Sequence, residues 1–203
     1  MERIQTRTPI ARIPVVRLES PHATSRSAAR SLTLVIALGG TAVLYSYYAG
    51  MVGTAAVGNA LWGGIPDAAR PLYTINMFFA AAGFFLFSPY LVFRLAPEST
   101  SPDSSARLQR IWLFYLLVLI PSALWVPLTG NVIAHPSTSA WLAVRLDLFL
   151  VAIGTLGLFW EVLSSRPAAP WGRRLALLGL IPFSMQTVLL DALVWPVFFP
   201  AVP

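Results

Sequence analysis

The sequence predicts an all-α fold, a polytopic bundle of five transmembrane helices. The 203-residue chain is 57% hydrophobic and 11% charged, whereas a soluble domain of this size carries about 25% charged residues. It also contains five apolar runs long enough to cross a membrane, which takes about 20 residues in a helix. Such runs are helices rather than single strands, because backbone groups cannot stay unpaired in hydrocarbon.

The five predicted spans leave a basic tail, residues 1–30, ahead of a membrane domain, residues 31–203. No charge occurs from Ser31 through Pro66, a stretch that includes the whole first span. The spans are expected at about residues 31–57, 71–95, 108–134, 139–163 and 175–200.

The arginines predict the orientation of the bundle, because cytoplasmic loops of membrane proteins carry an excess of basic residues. Twelve of them fall in the tail and around the loops that follow the second and fourth spans, which lie on one side of a five-span bundle. The other side holds only Arg70, and Arg145 lies inside the fourth span. We therefore expect a cytoplasmic N-terminus and a C-terminus outside.

The host membrane is expected to be the bacterial inner or plasma membrane, with an organelle membrane as the alternative. The tail is expected to be a flexible extension whose arginines touch anionic lipid. It is also similar in composition to an organelle transit peptide, and folding onto a partner is a third option for it.

Composition also excludes several kinds of site. The chain has no cysteine, which rules out disulfides, thiol catalysis and cysteine metal sites. It has no lysine either, so a Schiff base to a lysine amine is impossible. His22 and His135 fall on opposite sides of the predicted membrane, so we expect no metal site. No motif indicates a cofactor, and the loop positions of the arginines argue against nucleic-acid binding.

Four polar residues within the spans are the predicted ligand- or ion-binding site: Asn76, Arg145, Asp147 and Asp191. A charge at the centre of the bilayer costs about 2.5–3.5 kcal/mol on insertion scales, so each needs an explanation. At about 1.5 Å per residue, Asn76 lies roughly 8 Å below the outer end of its span. Asp147 and Asp191 lie roughly 12 Å and 13 Å deep. This shared depth predicts a polar cluster that faces the bundle interior and opens outward.

The pairing of the charges stays open at this stage. Arg145 and Asp147 are about 200° apart around a helix, so they do not face each other. Arg145 is expected to pair with Asp191 or to extend to the outer interface. One arginine cannot neutralise two carboxylates, which leaves one aspartate protonated, bound to a cation or hydrated. A purely structural ion pair is the alternative to a functional site.

Further polar and aromatic side chains near the predicted cluster are secondary candidates for the site. They are Tyr45, Tyr48, Tyr73, Asn131, His135 and Gln186. Tyr45 and Tyr48 are three positions apart and share a helix face, while Tyr47 is expected to point elsewhere.

Three functions fit this pattern. The first is a polar cavity that binds or moves a small ligand or a proton. The second is an accessory or assembly subunit of a larger membrane complex, suggested by the small size and by a ridge of small residues at Ala42, Ser46, Gly50 and Thr54. The third is an intramembrane enzyme on a lipid or isoprenoid with the two aspartates as acid and base. The lack of a catalytic motif argues against an enzyme. Partners are expected to be the lipid bilayer and other membrane subunits.

Overall fold

The computed structural model describes residues 21–53, 59–95, 102–165 and 170–199, and the regular structure in them is helical throughout. The long helices, numbered in chain order, are α1 Pro21–Gly53, α2 Arg70–Tyr90, α3 Pro102–Ala134, α4 Thr138–Ser164 and α5 Pro170–Ser184. Two of them continue as π-helix. The second helix runs on through Leu91–Leu95, and the fifth through Met185–Val194 into a last α-helical turn, Trp195–Phe198.

Five helical stretches among the described residues are long and apolar enough to cross a membrane, which confirms the predicted number of spans. They are Ala29–Gly50, Arg70–Leu95, Ser105–Ala134, Thr138–Ser164 and Pro170–Phe198. The fifth begins at Pro170 rather than near Leu175, because the helix includes the polar first turn that an apolar count leaves out. The predicted end of the first span near Val57, and residues 1–20 of the tail, lie outside the described residues.

The outward faces of these helices are apolar. Leu38, Phe78, Phe85 and Val197 are each at least 71% exposed. Water-soluble monomers rarely expose large contiguous apolar patches. This surface is therefore suited to lipid rather than to water, as a multi-pass membrane protein requires.

Neighbouring helices pack in the order α1, α3, α4, α5, α2. The first helix is peripheral: it packs along α3 and reaches the second helix chiefly at Leu91–Leu95. On its inner face, Gly39 lies against Leu119 and Gly50 lies against Val126. The small residue Gly50 of the predicted ridge therefore serves packing inside the bundle.

A pair of glycines sets the contact between α2 and α5. A Cβ atom on Gly83 would collide with the backbone carbonyl of Gly179, and a Cβ atom on Gly179 would collide with that of Gly83. Only glycine permits this approach of the two backbones. The approach places Asn76, about two turns before Gly83, beside the π-helical segment of α5.

The two ends of the bundle differ in charge. Arg110, Arg173 and Arg94 lie at the end where α4 finishes and α5 begins, and we call this the arginine-rich end. The opposite end, which holds Trp62 and His135, is called the arginine-poor end. Two apolar core clusters fill the bundle, one toward each end.

Candidate functional site

A chain of side-chain hydrogen bonds links α2 to α5 within the bundle. The Asn76 Nδ2 atom donates to Gln186 Oε1 at 2.9 Å and to the carbonyl of Pro182 at 3.3 Å. The Gln186 Nε2 atom in turn donates to Asp191 Oδ1 at 2.8 Å. The structure therefore brings Asn76 and Asp191 together, and Gln186 is the residue that joins them.

The π-helical segment Met185–Val194 makes this arrangement possible. Gln186 and Asp191 are five positions apart, so in a regular α-helix their side chains would point about 140° away from each other. A π-helix forms its backbone bonds five residues apart and brings such a pair to one side. π-Helical turns occur frequently at functional sites, and this one also offers the carbonyl of Leu190 to the Tyr73 hydroxyl at 3.1 Å.

Asp147 on α4 is the most buried acid of this region. The residue is 5% exposed, its helix neighbours Val144 and Leu148 are buried too, and its Oδ2 atom has no hydrogen-bond partner. An unpaired polar atom that is removed from water costs about 1–3 kcal/mol. The folded protein therefore carries this free-energy cost at Asp147, on a helix face that is otherwise apolar.

Tyr47 of α1 lies in the same part of the bundle as the two carboxyl groups. Its half-buried phenol lies within electrostatic range of both Asp191 and Asp147. Its ring packs on Trp125 of α3 with the centroids 5.6 Å apart. We call Tyr47, Asn76, Asp147, Gln186 and Asp191 the carboxyl site; hydrogen bonds join Asn76, Gln186 and Asp191, and Tyr47 and Asp147 are included for their position in the same part of the bundle.

The polar layer extends from the carboxyl site toward the middle of the bundle. The Thr187 hydroxyl bonds to that of Thr155 at 3.0 Å, and both residues are buried. The hydroxyl of Ser184, one turn before Thr187, is buried as well and has no hydrogen-bond partner; the same holds for Thr129, which lies on α3 nearer the arginine-poor end. Hydroxyl groups that are placed in this way can bond to water or to a polar ligand.

The structure leaves several predicted residues outside the site. Arg145 is exposed on the outer face of α4 and forms none of the ion pairs in the described ranges, so its expected pairing with Asp191 is not present. Tyr45 and Tyr48 are 69% and 62% exposed, and Asn131 and His135 are exposed too. The tyrosines share a face as predicted, and that face points outward.

Of the secondary candidates, Gln186 is part of the site and Tyr73 bonds beside it to the carbonyl of Leu190. Tyr47, which was predicted to point elsewhere than Tyr45 and Tyr48, is half-buried and belongs to the site as well. A signal for Tyr47 does exist in the sequence. Val43, Tyr47 and Gly50 follow the helical spacing of four and three, and all three are half-buried against α3. Small and apolar residues at that spacing mark the packed face of a helix, and Tyr47 is the polar member of it.

An aromatic layer lies between the carboxyl site and the arginine-poor end. Trp195, one turn beyond Asp191, packs on Trp141, Trp125 and Phe199 at centroid distances of 5.9, 5.8 and 4.5 Å. Packed aromatic rings therefore fill the place where the sequence predicted that the polar cluster opens outward.

The loop before α2 is fastened to this layer. The Trp195 Nε1 atom donates to the carbonyl of Leu61 at 2.9 Å, and the Gly64 amide donates to that of Phe198 at 2.7 Å. Gly63 has a φ of 55°, which favours glycine in this turn. The aromatic layer is therefore fixed by backbone hydrogen bonds as well as by packing.

A separate charged cluster lies at the arginine-rich end. Glu161 of α4 is 1% exposed; its Oε1 atom accepts a hydrogen bond from Arg110 at 2.6 Å, and its Oε2 atom forms an ion pair with Arg107 at 3.5 Å. The sequence predicts an ion pair between Glu161 and the nearby Arg166, but Arg166 lies outside the described residues. The two arginines that pair with Glu161 in the structure are both on α3. Phe87, Phe183 and other apolar side chains of the core separate this cluster from the carboxyl site.

The carboxyl site thus combines two acids, a phenol and two amides; the Asp147 Oδ2 atom within it and the Ser184 hydroxyl beyond it are buried and unpaired. The described ranges contain no group of three or more histidine, cysteine, aspartate or glutamate residues that could hold a metal ion. Comparisons with protein-family models, with curated proteins and with solved structures find no match to the chain.

Proposed function

We propose that this protein crosses the membrane five times and binds a proton or a small cation at the carboxyl site. The arginine-rich end faces the cytoplasm in this proposal, because basic loops are retained on that side. The observation that carries the proposal is that the hydrogen-bonded chain Asn76–Gln186–Asp191 and the buried Asp147 lie inside the bundle, and that none of the ion pairs in the described chain involves either aspartate.

Electrostatics favours a positively charged ligand. Two carboxylates in a low-dielectric interior cannot both stay ionised without compensation, since each buried charge costs several kcal/mol. Arg145 points away from them. The missing positive charge is therefore supplied from outside the described chain, by a proton or by a bound cation.

The two acids have different roles in this proposal. Asp191 accepts a hydrogen bond from Gln186, so one of its oxygens is already engaged. Asp147 has an unpaired oxygen in an apolar setting, and that oxygen can take a proton without the loss of a hydrogen bond. Asp147 is thus the group proposed to hold the proton, and Asp191 is the second carboxyl group that a cation can contact.

An anionic ligand, by contrast, lacks support. Arg145 is the one intramembrane residue that the sequence predicted to contact an anion, and its side chain is exposed outside the site. The orientation of Gln186 is also fixed by its bonds to Asn76 and Asp191. The carboxyl site therefore presents mainly acceptor oxygens.

Proton uptake by the protein in liposomes tests the proposal. Vesicles that contain a trapped pH-sensitive dye are loaded with wild type, Asp147→Asn or Asp191→Asn, and the proton exchange that follows an imposed pH step is recorded. We expect both variants to lose the protein-dependent exchange. Arg145→Gln serves as the matched control, because it removes an intramembrane charge outside the site, and it should retain the exchange. Unchanged behaviour in both aspartate variants rejects the proposal.

A further inference from the structure

An apolar groove opens between the first and second helices at the arginine-rich end. Its volume is about 630 Å³, and it is lined by Ala29, Arg30, Thr33, Leu34 and Phe93. It exists because α1 reaches α2 chiefly at Leu91–Leu95 and packs otherwise along α3. The groove faces the surrounding lipid and is remote from the carboxyl site.

The walls of the groove suit a hydrocarbon chain. Leu34 and Phe93 are 62% and 59% exposed, so their side chains are available to an occupant. The one hydroxyl on the wall, that of Thr33, is already bonded to the carbonyl of Ala29 at 2.8 Å. The wall therefore offers apolar contacts, because the hydroxyl hydrogen of Thr33 is already used in a hydrogen bond.

The mouth of the groove is positively charged. Arg30 lines it and is exposed, and Arg94, which follows Phe93 on the other helix, is exposed too. Neither arginine forms an ion pair among the described residues. Basic pockets between transmembrane helices near the cytoplasmic surface bind the head groups of anionic lipids.

From these observations we infer that the groove is a binding site for one anionic phospholipid. The acyl chain lies against Leu34 and Phe93, and Arg30 and Arg94 contact the phosphate of the head group. Arginine is suited to this role because its planar guanidinium pairs with phosphate oxygens. The inference depends on the membrane location of the chain and is independent of the carboxyl site.

Lipid retention measured by native mass spectrometry tests this inference. The full chain in detergent is titrated with phosphatidylglycerol or with phosphatidylcholine of the same acyl chains, and bound lipid is counted. We expect phosphatidylglycerol to be preferred by about fivefold for each arginine, which corresponds to about 1 kcal/mol for each basic residue at the surface. The Arg30→Gln and Arg94→Gln double variant should lose that preference.

Three further variants sharpen the result. Arg145→Gln removes an exposed arginine from the other half of the bundle and should keep the preference for phosphatidylglycerol. Arg30→Lys keeps the charge and should keep most of it. Leu34→Trp narrows the groove and should lower binding of both lipids. The inference is overturned if wild type binds the two lipids equally, or if Arg145→Gln reduces the preference as much as the double variant does.

Discussion

The oxygens of Asp147 and Asp191 are hydrogen bonded in different ways, and this difference is central at the scale of single residues. Asp191 accepts from Gln186, which is itself held by Asn76. Asp147 has a buried oxygen without a partner. The two acids should therefore respond differently to substitution. A change at Asp191 leaves the Gln186 amide without its hydrogen-bond partner, whereas a change at Asp147 removes an oxygen that has none.

Gln186→Leu should lower the stability of the protein by about 1–3 kcal/mol, since it leaves both Asn76 and Asp191 without their partner. Thermal unfolding in detergent measures the change. The matched control is Leu189→Ala, at an exposed position of the same segment. In a double-mutant cycle with Asn76→Leu, we expect a coupling of about 0.6–1.7 kcal/mol, the range found for hydrogen bonds in membrane proteins. Strict additivity of the two substitutions would show that the bond contributes nothing.

Tyr47→Phe should weaken proton exchange at the carboxyl site, because it removes the phenol oxygen and keeps the ring that packs on Trp125. The chain provides close controls. Tyr45→Phe and Tyr48→Phe change the same group on the exposed face of the same helix and should leave the exchange unchanged. The dye assay in liposomes compares all three variants. An equal loss in the three would indicate a general effect on α1 rather than a role for Tyr47.

At the scale of the helices, the position of the site depends on two departures from regular packing. The π-helical segment turns Gln186 and Asp191 to one side of α5. The glycine pair Gly83 and Gly179 lets α2 come close enough for Asn76 to reach that segment. Both features place polar groups that a straight, evenly spaced helix would direct elsewhere.

Gly83→Ala and Gly179→Ala should each destabilise the protein by about 1–3 kcal/mol, the usual cost of forcing extra volume into a packed contact. Gly40 and Gly130 are matched controls, since an added Cβ atom meets nothing within 4 Å at either position. Alanine there should be neutral or slightly stabilising, because it favours the helix over glycine by about 1 kcal/mol. Thermal unfolding in detergent again gives the comparison, and equal effects at all four sites would contradict the close contact.

The same features explain how much could be predicted from the sequence. Hydropathy and length predicted the five spans, because membrane thickness fixes the helix length. Depth along each helix predicted that Asn76 and Asp191 meet. The direction of side chains was harder to predict: a regular period of 3.6 residues does not reveal the π-helix that pairs Gln186 with Asp191. Nor could one helix in isolation show that Tyr47 faces the bundle and that Arg145 faces outward, since these directions depend on which helices become neighbours.

At the scale of the whole molecule, charge and apolar surface are arranged along one axis. One end has the Glu161 cluster with Arg107 and Arg110, the carboxyl site lies within the bundle, and the aromatic layer around Trp195 lies at the other end. Exposed apolar side chains surround the bundle between the two ends. Such a distribution fits a protein that is embedded in a bilayer with its arginines on the cytoplasmic side.

Labelling of single cysteines should establish this orientation, and the chain suits the method because it contains no native cysteine. Gln109→Cys at the arginine-rich end and Ser139→Cys at the arginine-poor end both replace exposed residues. In intact cells, a reagent that does not cross the membrane should label Ser139→Cys alone, and Gln109→Cys should react only after the membrane is opened. The reverse pattern would show that the bundle is inverted.

Infrared difference spectroscopy of the protein in lipid bilayers tests the central claim, that Asp147 and Asp191 form a proton-binding site inside the membrane, most directly. When the pH is stepped, we expect a carbonyl stretching band from a protonated carboxyl group in a dry environment. The band should disappear in Asp147→Asn, change in Asp191→Asn and remain in Arg145→Gln. Absence of such a band in the wild type, or the same band in all three variants, would contradict the claim.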